Sequence, residues 1–262
     1  MLDIFGSFEK DFNEKRESYD EYKQSQQYQS AISYTNNLIH DFNQTLLLCQ
    51  FVSTRDGEYF KKSILFWSLL EIIDSLESIR ESVINGHINP AKRELRYLLE
   101  TMIKYLYTDQ QCQSDWLSLD ERIAYFKKEV PRSSISPVDD LEGVHDDFVE
   151  DVKQVYGVLS SYTHPSFVQI KEYLIRETQD RSFAFETHIE INSFNKILFR
   201  SLDLFLYLAF KEMVPASLGD LFIYFIDDMP KWKFKQGKYS MLMSKLFDYK
   251  LERKQKRAQQ ES

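Results

Sequence analysis

The chain has 262 residues, 43% of them hydrophobic and 28% charged, with a formal net charge of −8. That is enough apolar material for one large core or two small ones, while 7 Gly and 6 Pro are too few for the turns of a β-sandwich or barrel. Two cysteines, Cys49 and Cys112, exclude a disulfide framework and a Cys-rich zinc site.

Leu, Ile, Phe, Tyr, Glu, Lys and Gln dominate, which favours long helices. The opening M-L-D-I-F-G-S-F-E-K has neither the basic region nor the apolar run of a secretory signal, so a cytoplasmic location is expected. From residue 8 to about 53 there is no Gly or Pro, and Phe8, Phe12, Tyr19 and Tyr22 recur near helical spacing around a polar Y-K-Q-S-Q-Q-Y-Q-S. This predicts one long helix, or two with a soft joint. R-D-G at 55–57 breaks it. A strongly apolar helix follows, with Ile64, Trp67, Leu70, Ile73, Leu76, Ile79 and Val83 as its stripe, ending near N-G-H at 85–87.

Asn89 and Pro90 then suit the N-cap and first position of the next helix, whose buried stripe is Leu95, Leu99, Met102 and Leu106. A shorter helix is expected over 119–129, then a loop, P-R-S-S-I-S-P. Helix 139–163 has Phe148, Val152, Val155, Leu159 and Tyr162 on one face. Gly157 lies inside it, at a cost of about 1 kcal/mol against Ala unless close packing compensates. S-F-A-F-E-T-H-I-E-I alternates with period two, and the run I-L-F-R-S-L-D-L-F-L-Y-L-A-F, interrupted by Arg200 and Asp203, predicts a core helix over 193–213 and no membrane span. From Ser217 the chain is helical at both ends, broken by K-W-K-F-K-Q-G-K. The expected fold is all-α, a bundle of six or more helices with one short extended segment or hairpin near 168–190. Its segments are an N-terminal helix or helix pair (1–55), a helical core (56–214) and a C-terminal helical extension with a basic tail (215–262).

Charge is unevenly spread. Residues 231–257 carry ten Lys or Arg against Asp248 and Glu252, a net of +8 that leaves −16 for the rest. One acidic stretch, 139–151, has seven carboxylates and no Lys or Arg. This asymmetry implies an anionic partner for the tail, or docking of the tail on the chain's own acidic face. Lys231, Lys233, Lys235 and Lys238, with Arg253, Lys254, Lys256 and Arg257, are the candidate phosphate contacts. Trp232 and Phe234 are candidate stacking rings, or else anchors for a loop whose lysines stay wet.

At Y-G-V-L-S-S-Y-T-H-P-S (156–166), the proline should end the helix at Thr163 and leave His164 extended beside unpaired carbonyls. That position suits a general acid and equally a plain helix cap. Together with R-E-L-R-Y-L-L-E-T-M-I-K-Y-L (93–106), this element resembles uncharacterised microbial helical families that pair an Arg/Glu helix with a downstream L-S-x-Y-x-H-P element. More distantly it resembles the HEPN superfamily of helical RNA-cleaving effectors, over roughly residues 60–210. The resemblance implies metal-independent cleavage by an Arg and a His four to six residues apart, acting on the RNA 2′-hydroxyl and phosphate. This sequence departs from that pattern: 157–159 are Gly157, Val158 and Leu159, with no Arg. The cation would have to come from another helix, with Arg96 the first candidate and Arg93 the second, in helix 93–106 lying antiparallel to 139–163. Ser160 and Tyr162 would support His164. The alternative for Arg96 is an i,i+4 pair with Glu100.

Glu71 with Asp74, and Asp147 with Glu150, have the three-residue spacing of Mg²⁺-binding helical carboxylates, but Glu71 and Asp74 share a face with serines, as a solvated surface does. His40-Asp41 and His145-Asp146-Asp147 have no recognised ligand spacing, so no metal is assigned. There is no Gly-rich phosphate loop and no cofactor motif. The expectation is a HEPN-like cytoplasmic protein that binds RNA and is a candidate for cleaving it, in a stress or defence role. The rival is a non-catalytic interaction protein that docks a protein partner or a second copy.

Overall fold

The structure, a computed structural model, describes residues 4–53, 61–112, 117–132, 134–163, 166–178, 185–226, 229–247 and 259. Those residues form eleven α-helices and no strand: α1 (Ile4–Lys23), α2 (Gln26–Ser53), α3 (Ile64–Trp67), α4 (Leu69–Ile84), α5 (Ile88–Gln111), α6 (Leu119–Glu129), α7 (Asp146–Ser160), α8 (Phe167–Thr178), α9 (His188–Glu212), α10 (Pro215–Tyr224) and α11 (Lys238–Lys245). At the centre lies α9, where residues 201–210 are all buried. A helix apolar on every side has to be wrapped by others, and α2, α5, α7 and α11 pack around this one. No helix of the described residues is long and apolar enough to cross a membrane.

The two charges that interrupt the α9 run each have a specific use. Arg200 reaches the surface, where it donates to Asp151 at 2.6 Å and to Gln154 at 2.8 Å. Asp203 stays buried and accepts from the backbone N–H of Tyr239 (2.9 Å) and Ser240 (3.0 Å) and from the Ser240 hydroxyl (2.7 Å). It therefore supplies the start of α11 with the acceptor that α11 lacks locally, since Gly237 at its N-cap has no side chain. One apolar core runs from Tyr19 to Phe247 and draws on all three segments of the chain.

Several boundaries follow local chemistry that periodicity does not see. The N-terminal pair is jointed at Gln24 and Ser25. The apolar helix after residue 63 breaks at Ser68, which shifts the buried face to Leu65, Leu69, Ile72, Leu76, Ile79 and Val83. Trp67 and Leu70, expected in the core, are 62% and 72% exposed. At the end of α4, Gly86 adopts φ 75°, with Gly86 N–H bonding to Val83 and His87 N–H to Ser82. This is a Schellman turn, a conformation that favours glycine. It leads directly into α5, so that helix starts at Ile88 and Asn89 is not its cap; Pro90 is still in the first turn, where a missing N–H costs nothing.

The expected helix 139–163 is shorter at both ends. Residues 136–140 form a 3₁₀ turn, Gly143 at φ 63° interrupts the chain, and His145 caps α7 by accepting from the Asp147 N–H at 3.2 Å. At the other end α7 stops at Ser160 and tightens into i→i+3 bonds at Tyr162 and Thr163. Its stripe is intact, with Phe148, Val152, Val155, Leu159 and Tyr162 all buried.

The described part of the region expected to be extended is largely helical. Residues 167–178 are α8, residues 179–184 (with Ser182, Phe183 and Ala184 of the alternating run) lie outside the described residues, and the described residues 185–187 are non-helical before α9. There Thr187 and Glu190 form a capping box, a strong start signal that overrides a short period-two pattern. The helix in turn begins five residues before the expected 193. Gly157 is exposed, and a Cβ built on it would meet nothing within 4 Å. No packing compensates for this glycine, so Gly157→Ala is expected to raise stability by about 1 kcal/mol, read as a higher urea midpoint at unchanged slope.

Candidate functional site

Helices α5 and α7 run antiparallel, which brings the arginines of one to the end of the other. Arg93 donates from Nε to the Tyr162 carbonyl at 2.7 Å, satisfying one of the acceptors left open where α7 ends. Arg96 lies nearer the middle of α7. It donates to the Tyr156 hydroxyl at 2.7 Å, stacks on that ring at 4.8 Å and pairs with Glu100 at 3.0 Å. Glu100 also pairs with Lys104 at 3.2 Å, so Arg96 belongs to a half-buried row of alternating charge along α5. The pair with Glu100 weighed from spacing is thus present.

Tyr162 is held on every side. Its ring lies 3.5 Å below the Lys92 ammonium, and its hydroxyl donates to Glu172 Oε1 at 2.6 Å. Burial first, and the hydrogen bond to Glu172 second, push the phenol above its ordinary value, so it is a fixed donor and not a group that exchanges protons near neutrality. The Ser160 hydroxyl oxygen is buried and has no hydrogen-bond partner among the described residues. His164 lies outside the described residues.

Around Tyr162 the structure gathers a charged cluster that sequence reasoning missed. Lys92 (α5), Glu172 and Arg176 (α8), Glu186, and Glu190 and Ser193 (α9) line one cavity of about 360 Å³ with Tyr162. Arg176 pairs with Glu186, which is 2% exposed. Lys92 stands 3.9 Å from Glu172. Burial lowers the Lys92 pKa and raises that of Glu186. A signal for Lys92 did exist: it sits three residues before Leu95 and seven before Leu99, on the buried stripe of its own helix. For Glu186 there was none.

The basic C-terminal element divides in two. Trp232 and Phe234 are buried, with Trp232 Nε1 donating to Thr45 at 3.0 Å and Phe234 stacked on Phe199 at 5.5 Å. Both rings anchor a 3₁₀ turn on α2 and α9, and neither has a face for stacking a base. Asp41 accepts the Lys233 backbone N–H at 2.8 Å and completes that anchor. Lys231 and Lys235 are exposed.

Lys238 pairs with Asp147 at 2.9 Å and Asp151 at 2.8 Å, so the start of the basic element does dock on the chain's own acidic helix. Burial alone would raise the Asp151 carboxyl, but hydrogen bonds from Lys238, Tyr239 and Arg200 outweigh it and bring the pKa down to about 2. Arg253, Lys254, Lys256 and Arg257 lie outside the described residues.

The exposed ring beside these lysines is Tyr34 of α2, with the Lys233 ammonium 5.7 Å from its centroid. Tyr34 separates two shallow depressions. One, of about 460 Å³, is lined by Asn192, Asn195, Lys196 and Phe199. The other, of about 510 Å³, follows Gln26, Gln29, Ser30, Ser33 and Asn37 along α2. Among the described residues, neither is lined by an Asp or Glu.

The paired carboxylates do not converge on a cation site: Glu71 accepts from the Tyr97 and Tyr105 hydroxyls at 2.6 and 3.1 Å, while Asp147 faces Lys238. Among the described residues no group of three or more His, Cys, Asp or Glu side chains could hold a metal ion. In comparison with known proteins, the chain matches no family model, no curated protein and no solved structure.

Proposed function

We propose that the chain binds single-stranded RNA across the face formed by α2, the start of α9 and the 231–235 turn. The observation that carries this reading is the Tyr34 ring, 40% exposed, with Lys233 over it and Lys196 across the adjoining depression. On a chain of net charge −8, two depressions whose described linings hold amides, hydroxyls and Lys196 but no carboxylate are where a phosphate backbone meets least repulsion. The ring offers a base a stacking platform, and Asn and Gln side chains on either side offer both donors and acceptors to base edges. Cleavage has less support, because Arg96 is already committed to Glu100 and Tyr156.

The test is fluorescence anisotropy with a short single-stranded oligoribonucleotide from low to moderate salt. Tyr34→Ala should weaken binding by roughly 1–3 kcal/mol, the value of one stacked base. Lys196→Gln and Lys233→Gln should each flatten the log-log salt dependence by about 0.7. Trp232→Ala would instead report on packing. Absence of binding by the intact chain at low salt overturns the RNA reading. The interaction-protein reading then leads, favoured by α8, whose Phe167, Ile170 and Leu174 are 77%, 56% and 57% exposed. Its occupant would be a second copy, because a two-fold contact needs only one self-complementary patch and α8 carries both Lys171 and Glu177 beside its apolar row. Sedimentation of the intact chain and of Leu174→Lys would decide it.

A further inference from the structure

The cavity around Tyr162 lies apart from the proposed RNA face and has a different chemistry. Its polar wall is Lys92, Tyr162, Glu172, Arg176, Glu186 and Glu190, and its apolar wall includes Ile88, Phe194 and Ile197. A volume of about 360 Å³ is within the range of small-molecule sites. Two carboxylate oxygens of side chains in this wall, Glu172 Oε2 and Glu186 Oε2, are buried and accept no hydrogen bond among the described residues.

An orphaned buried carboxylate oxygen carries a full desolvation cost, and here there are two beside one cavity. The existing cations are already used: Arg176 on the other oxygen of Glu186, and Lys92 between Glu172 and the Tyr162 ring. Glu190 is bound up in the cap of α9 through Thr187. Among the described residues lining the cavity, three carboxylates stand against two cations, an excess of one negative charge.

We propose that this cavity binds a small organic ammonium ion, a primary amine carried on a short apolar body. An ammonium has three donors and no acceptor. It can supply both orphaned oxygens and bring the cluster to neutrality, while its alkyl or aryl part covers Ile88, Phe194 and Ile197. An anionic ligand would face the same two oxygens without a donor. A neutral alcohol has one donor and leaves the charge uncompensated.

The probe is n-butylammonium, with n-butanol and butyrate as its neutral and anionic counterparts, titrated into the full-length chain by calorimetry and followed by thermal unfolding. Butylammonium should bind saturably and raise the midpoint; butanol and butyrate should do neither. Glu172 is partly exposed, so Glu172→Gln should fold normally and weaken butylammonium binding by about tenfold or more, as loss of a charged hydrogen bond does. Glu186→Gln should act likewise, and if it does not fold, Glu172→Gln alone carries the test.

The proposal falls if butanol stabilises as well as butylammonium, if no saturable binding appears, or if Glu172→Gln binds the ion unchanged. RNA binding by the Tyr34 face should be unaltered by saturating butylammonium, so that failure of either proposal is seen separately.

Discussion

Replacing Arg122 by Met is expected to cost about 3–5 kcal/mol of stability, the range for stripping one partner from a buried ion pair. The guanidinium and the Asp109 carboxylate are 3.1 Å apart with side chains 2% and 0% exposed. Asp109 does more than pair. It accepts from the Ser63 hydroxyl (2.9 Å) and from the N–H groups of Ile64 (3.0 Å) and Leu65 (3.1 Å), so it caps the start of α3 from the far end of α5. Asp109→Ala should therefore cost at least as much as Arg122→Met, because it orphans two backbone donors as well as the guanidinium.

Against a typical total of roughly 5–15 kcal/mol, either change endangers the fold. The loss in Arg122→Met should also depend on pH. Burial already pushes the Asp109 carboxyl up, opposed by the Ile64 and Leu65 N–H groups, Ser63 and Arg122, and removing the cation raises it further. A raised folded-state pKa means the deficit is smallest in acid, where the carboxyl is protonated in both states, and grows as pH rises through that pKa. Urea unfolding across pH checks this. A loss below about 1 kcal/mol, the scale of an exposed pair, would show that water reaches the site.

The second large effect is expected at Gly237. A Cβ there would fall on the Asp203 carboxylate, which cannot retreat without giving up its bonds to Tyr239 and Ser240. Gly237→Ala should lose roughly 1–3 kcal/mol to overpacking, and more if the cap of α11 is released with it. Asp203→Ala makes room but leaves two interior N–H groups without acceptors. A double-mutant cycle separates the two causes: in the Asp203→Ala background, Gly237→Ala should cost much less than alone. Equal costs in both backgrounds would mean that the clash is not with Asp203.

Much of the fold was legible because periodicity is a direct imprint of burial. The stripe of α7, and Leu95 to Leu106 in α5, fall where steps of three and four place them. Legibility failed where one residue resets the phase. Ser68 rotates the face that follows it and leaves Trp67 and Leu70 in solvent, which no count of apolar residues could reveal. Thr187 and Glu190 turned an alternating run into a helix start, although the T-x-x-E spacing was open to view.

In the candidate sites, charge was visible but its neighbours were not. K-W-K-F-K showed alternating lysines and rings, yet only the fold decides that the rings enter the core between α2 and α9. Tyr34, about 200 residues earlier in the chain, is the ring that stays outside. Glu172 and Glu186 come to one cavity with Lys92 only because the folded chain brings α8 and the segment before α9 beside the start of α5, a long-range outcome that local spacing does not encode.

The cap that Asp203 provides also sets an order of events during synthesis. Its partners Tyr239 and Ser240 follow 36 and 37 residues later, which at about 5–20 residues per second is a wait of roughly 2–7 seconds. Through that interval the nascent α9 holds a carboxylate in the middle of its most apolar stretch with nothing to accept from. Water must therefore stay beside it, and α9 cannot be fully enclosed by its neighbours. Closure of the bundle is thereby deferred until residues 239 and 240 have left the ribosome, so a product that stops short of residue 239 keeps a wet, open seam along its central helix.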